Sequence, residues 1–152
     1  MTALVDQVAA RVTAQVPALL SVGSAATLAA LIQQNVLPQR TPAAFTLPSG
    51  FDAAPNALVS GGHRQDVSDT VGVLLVYRIA GDAKGDKALT ALSTIIAAVI
   101  AAVAGWEPEA PDGGEAGSAE AFDLVRGRLV DMAAGAVFYQ LDFRARWLFR
   151  GS

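Results

Sequence analysis

The chain has no cysteine and one histidine in 152 residues, and only 16% of it is charged. Without cysteine there is no disulfide framework, thiolate metal site or sulfur nucleophile. The histidine, His63, lies in a Gly-Gly-His-Arg segment. A general base needs an orienting partner and a substrate proton within reach. Asp66 and Asp69 are near in sequence, but no nucleophile accompanies them, so His63 is read as a solvated loop residue. Carboxylates alone would have to bind a metal, and no EF-hand spacing occurs. The net charge of −3 lacks the basic footprint of a general nucleic-acid binder. Gly81-Asp82-Ala83-Lys84-Gly85-Asp86-Lys87 has a strand before it and a helix after it. It lacks the Gly-Lys-Ser/Thr ending of a phosphate loop, and its aspartates would repel an anion. The expectation is a protein that is not an enzyme and uses neither cofactor nor metal.

Export signals are missing as well. Asp6 and Gln7 stand where a secretory leader needs basic and then apolar residues, so the cytoplasm is the expected compartment. Ala88 to Trp106 carries no charge and approaches the ~20 residues that span a bilayer. Its bulk is sorted to one side, however, as Leu89, Leu92, Ile95, Ile96, Val99, Ile100 and Val103 follow helical spacing. That pattern predicts a core helix, and no membrane partner is expected.

What is present is alternation. From Val137 to Phe149 every odd residue is apolar, while Gln140, Asp142, Arg144 and Arg146 occupy even positions. This is the period-2 pattern of a half-buried strand, and a long one. Leu124 to Met132 predicts another strand, joined through Gly135 as an antiparallel hairpin. Gln65 to Ile79 predicts a third, whose apolar middle, Val71 to Tyr77, suits a central position. Ala43 to Leu47 predicts a short strand framed by prolines. Helices are expected over Ala3 to Val16, stopped by Pro17, and after an N-cap at Ser24, where Leu28, Leu31 and Ile32 form the buried stripe. Asp82, Gly85 and Asp86 turn into the long helix, with Asp86 its N-cap and Gly105 its left-handed end. Leu19 to Val22 is a short extended piece. Ser49 to Gly62 reads as a mobile, turn-rich excursion, and Glu107 to Asp123 as a flexible acidic loop. The sum is one α+β domain over residues 1–150, with Gly151-Ser152 set apart as a cloning remnant. Its architecture is two-layer, with an antiparallel sheet of about four strands and one long and one or two shorter helices packed mainly on one face.

Four blocks in this order carry a family resemblance. They are Leu37 to Pro48 with its Pro-x-Ala-Phe core, Asp69 to Val76, Gly105-Trp106-Glu107-Pro108, and Arg126-Gly127-Arg128-Leu129 followed by Gly135 to Phe143 with its Tyr139-Gln140 pair. Together they resemble the tail terminator proteins of long-tailed bacteriophages, of the lambda type. The resemblance implies a structural virion protein, placed in the tail at the head-proximal end and assembled in the bacterial host's cytoplasm. It implies a homohexameric ring that caps the tail tube, ends tail polymerisation and joins the head. Its partners would then be further copies of itself, the tail tube protein and the head–tail connector protein, with DNA passing through the lumen unbound. Two alternatives stand beside it: a neck or tail-completion subunit, and a small bacterial ligand-binding domain whose aromatic strand lines a pocket.

The charge distribution suits a ring. Arg126, Arg128, Arg144, Arg146 and Arg150 are five of the eleven basic residues, while six of the fourteen acids, Glu107 and Glu109 among them, lie in Glu107 to Asp123. A head-to-tail ring uses two different patches per subunit, and opposite charge helps select the register. The long helix also has a small-residue back (Ala91, Thr94, Ala97, Ala98, Ala101, Ala102 and Ala104), expected under the N-terminal helix, with simple exposure the alternative. Phe51, Leu58 and Val59 on the excursion are expected to touch the tube or connector.

Overall fold

The computed structural model describes residues 3–82, 84, 86–133 and 135–151. Along the chain they form α1 (Leu4–Gln15), β1 (Ser21–Ser24), α2 (Ala25–Gln33), β2 (Ala43–Ala53), β3 (His63–Arg78), α3 (Asp86–Val103), β4 (Asp123–Ala133) and β5 (Ala136–Gly151). The five strands make one sheet in the order β1-β2-β3-β5-β4. It is mixed, since β1 runs parallel to β2 while the other neighbours are antiparallel. The expected four antiparallel strands therefore gain a fifth. The short piece near Leu20 pairs with Ala43–Thr46, and α2 supplies the crossover that a parallel pair requires.

Two apolar layers follow from strand alternation. On one face Ala44, Val71, Val73, Leu75, Val137, Leu141 and Phe143 meet α1 through Leu4, Val8 and Val12, and α3 through Leu92, Ile95 and Val99. Each such fully buried aliphatic contributes about 1.5–3 kcal/mol relative to exposure. α3 is long and apolar enough to cross a membrane by length and composition, but its widest side chains lie against the sheet. On the other face Ala43, Phe45, Leu74 and Val76 form a smaller cluster with Leu28 and Leu31 of α2. Two helices thus cover one face and one helix part of the other, so the helices pack mainly on one face, as expected, with α2 adding a partial third layer to the two-layer arrangement. The α2 stripe is only half-buried, and Ile32 is 68% exposed.

Local chemistry explains the boundaries. The Ser24 hydroxyl accepts the Thr27 amide at 3.3 Å, as an N-cap does. Gly105 ends α3 at φ +81°. The carboxylate serving the start of α3 is that of Asp82, which accepts the Ala88 amide at 2.9 Å. Asp86 is instead the helix's first residue, and Gly85 lies outside the described residues. Gly135 turns β4 into β5 at φ +76°, and a Cβ there would stand 2.9 Å from the Asp82 carbonyl oxygen.

Two segments expected to be irregular are built in. Ser49–Ala53 continues β2 because the register shifts between Pro48 and Gly50, and the strand resumes against Val67–Thr70. Proline is tolerated there because β1 ends opposite Thr46, leaving an edge. Glu107 to Phe122 is a pinned strap. Gln7 grips Glu109 through both backbone groups, donating to its carbonyl at 2.9 Å and accepting its amide at 2.8 Å. Glu115 and Glu120 donate to the carbonyls of Leu148 and Arg146 at 2.7 and 2.8 Å, and Phe122 to that of Trp106 at 2.9 Å. Pro108, Ala110, Pro111 and Ala119 are buried. These small apolar residues make the strap part of the molecule despite its glycines and acids.

Candidate assembly interface

The outer edge of β5 is covered in two pieces. β4 pairs with Ala136 to Arg144, and the strap takes over through an isolated bridge from Gly114 to Phe149. Beyond them the sheet has two margins. One is β4, whose residues Asp123 to Asp131 are all exposed. The other is the β2 stretch after Thr46, where β1 has ended.

β4 is amphipathic across its two faces. Leu124, Gly127 and Leu129 sit opposite Phe143, Leu141 and Tyr139 on the helix-covered side, whereas Arg126 and Arg128 sit opposite Asp142 and Gln140 on the other. Two register shifts, at Leu124/Arg126 and Leu129/Asp131, leave Val125 and Val130 as the inserted residues. Leu124, Val125, Leu129 and Val130 are each 41–47% exposed, because neither α1 nor α3 reaches this margin.

The arginine row is partly spent within the subunit. Arg126 meets Asp142 at 3.8 Å, Arg146 meets Asp66 at 3.9 Å, and Arg150 meets Glu115 at 3.5 Å. Glu115 also takes Arg64 at 3.2 Å. These pairs are substantially solvated, so each contributes ~0–1 kcal/mol. Among the described residues Arg128 and Arg144 have no ion-pair partner. Glu107 and Glu109 are exposed on the strap, where Gln7 holds Glu109 beside α1; no ion pair joins them to the arginine row among the described residues. Phe51 is 68% exposed on the free stretch of β2, and Leu58 and Val59 are exposed beyond it. The Asn56 side chain accepts the Leu58 and Arg64 amides at 3.2 and 2.9 Å, so the excursion is a held hairpin end.

His63 opens β3 rather than floating in a loop. Its Nε2–H donates to Gln65 Oε1 at 2.6 Å, and its ring meets Phe149 edge-on at 6.0 Å. Sequence reasoning missed a groove of about 460 Å³ beyond the α1 N-terminus, lined by Phe51, Val67, Asp69, Trp147 and Phe149 among others. Burial pushes the Asp69 carboxyl above its ordinary value of 3.8, and the Trp147 side chain opposes that rise. Trp147 Nε1 is buried without closing a hydrogen bond of ordinary length. The alternating aromatics of β5 were legible, but their assembly with Phe51 depends on β2 running past Pro48. Among the described residues no group of three or more His, Asp or Glu is placed to hold a metal ion.

A mixed sheet with helices on both faces, two dissimilar exposed margins and a held hairpin end defines an α+β chain. The model of the phage tail terminator family matches residues 2–151, and the chain belongs to that family. The family is one of structural virion components, which places the protein in the tail of a phage-type particle. The fold is similar to a chain in the virion of a native gene transfer agent particle, at TM-score 0.53 and 18% identity, covering 97% of this chain and 92% of that one. No curated protein matches the sequence.

Proposed function

We propose that this protein forms a homohexameric ring that caps the head-proximal end of the tail tube. The ring stops tube polymerisation and presents a surface to the head–tail connector protein. The observation that supports this reading beyond family membership is β4, a margin of eleven residues exposed on both faces and carrying four large apolar side chains. Exposed apolar residues gathered on one strand mark an interaction surface. Because β4 and the free stretch of β2 are unlike, contact between them is heterologous, the kind that closes into rings. Leu58 and Val59, held outward at the hairpin end, are assigned to the tube or connector. The exposed strap acids, Glu107 and Glu109 among them, are assigned to the lumen, where negative charge lets DNA pass without adhering.

The test mixes purified protein with tail tubes and images them by negative stain. Capped ends on one side of each tube, and tubes that no longer lengthen when tube subunits are added, are the expected result. Bare ends with unchecked growth would remove the assignment. Assembly would take place in the cytoplasm of the infected bacterium.

A further inference from the structure

The two margins of the sheet carry matching patterns on both of their faces. On the free stretch of β2, Phe51 and Ala53 sit in register with Asp69 and Val67, and thus with Ala145 and Trp147 on the helix side. Asp52 sits in register with Ser68 and Arg146 on the other side. On β4, Leu124 and Leu129 take the helix side and Arg128 the other. Each margin is therefore apolar toward the helices and charged on the opposite face, where β4 carries Arg126 and Arg128 between Asp123 and Asp131, and where Arg128 and Asp52 are of opposite sign. Among the described residues neither Asp52 nor Arg128 has an ion-pair partner. Edge strands are commonly protected from random pairing by bulges and charges, and β4 has both. Protection alone calls for polar residues at the exposed positions, whereas Leu124 and Leu129 are apolar and Phe51 on the opposite margin is 68% exposed.

We infer that β4 of one copy docks against the free stretch of β2 of a second copy, and that this contact is the seam of the ring. The inference rests on the ring reading above and adds the residues that close it. Leu124 and Leu129 cover Phe51 and Ala53 on the helix side, while Arg128 meets Asp52 on the other. The bulges make this a side-chain contact rather than an extended ladder, which limits growth to the register the charges select. The two margins are also staggered, since Arg128 lies level with Gln140 and Asp52 with Arg146. Six strand residues at about 3.3 Å each make that offset ~20 Å.

The absence of cysteine makes the seam directly testable. Within one chain residues 52 and 128 are separated by three interstrand spacings, ~14 Å, across the sheet and by the ~20 Å stagger along it, too far for a disulfide between them. The Asp52→Cys/Arg128→Cys double variant should therefore link only between copies, and oxidation on tail tubes should give a ladder ending at the ring. Arg128→Glu and Asp52→Lys should each weaken self-association about tenfold or more, read by sedimentation of the full chain with tubes, and the combined reversal should restore it. Circular dichroism checks that each variant folds, as substitutions at exposed sites permit. If wild-type rings form on tubes while the double variant stays unlinked and the reversals change nothing, the seam is overturned and the ring reading stands. If the wild-type chain stays monomeric with tubes, both fall.

Discussion

Asp69 hangs from the helix-covered face of β3, among Val67, Trp147 and Phe149, whose apolar surfaces solvate a charge poorly. Burial is the larger influence on its carboxyl and raises its pKa; the Trp147 side chain works the other way. A carboxyl harder to ionise folded than unfolded subtracts stability at any pH above its unfolded value of 3.8, fully so above the folded value. Asp69→Asn should therefore raise the melting temperature at neutral pH, and the gain should vanish as pH falls through the folded pKa toward 3.8. The gain should be at most about 1 kcal/mol, since the group is half-exposed and screened. Melting curves of both proteins across pH 3–8 check this; an undiminished gain at the acid end would contradict it. Asp82 acts on the fold in another way, its buried side chain accepting a helix amide. Asp82→Ala should cost about 1–2 kcal/mol in chemical denaturation, the usual loss for a capping group. Neither role could be read from composition, and the sequence pointed to Asp86 as the cap. Asp82 serves instead because the chain folds its side chain back under the helix start.

The strap shows how an element can be misread from its residue types. Glycines, prolines and acids between Glu107 and Asp123 signal irregular chain, and the chain there is irregular. Order comes from partners distant in sequence: Gln7 of α1, the outer edge of β5, and Trp106 stacked on Phe122 at 5.8 Å with Arg11 over the indole at 5.3 Å. The amides of Gly105, Glu115, Glu120 and Phe122, all donors to backbone carbonyls, should exchange slowly with deuterium. Protection there should exceed that of Gly117, which is exposed at φ +74°, and exchange as fast as in an open loop would show the strap to be free. β5 was legible throughout because period-2 alternation is a local property. The continuation of β2 was not, since Pro48 normally ends a strand and is harmless here only because β1 stops short.

For the molecule as a whole, the proposed ring turns on what the sheet leaves uncovered. If apolar contacts supply most of the seam and charge its register, raising salt from ~0.1 to ~1 M, where the screening length falls from about 10 to 3 Å, should weaken ring formation without abolishing it. Sedimentation of tube-bound protein at both salts checks this, and complete dissociation at high salt would mean that charge alone holds the copies together.

Alternation and helical spacing were enough to establish the α+β class, the long terminal hairpin and the central β3, because each rests on residues adjacent along the chain. The four ordered blocks likewise carried the family. The mixed sheet, α2 on the second face, the pinned strap and the internal pairing of Arg126, Arg146 and Arg150 needed the folded molecule. Each depends on which distant segments become neighbours, and local spacing does not encode that proximity.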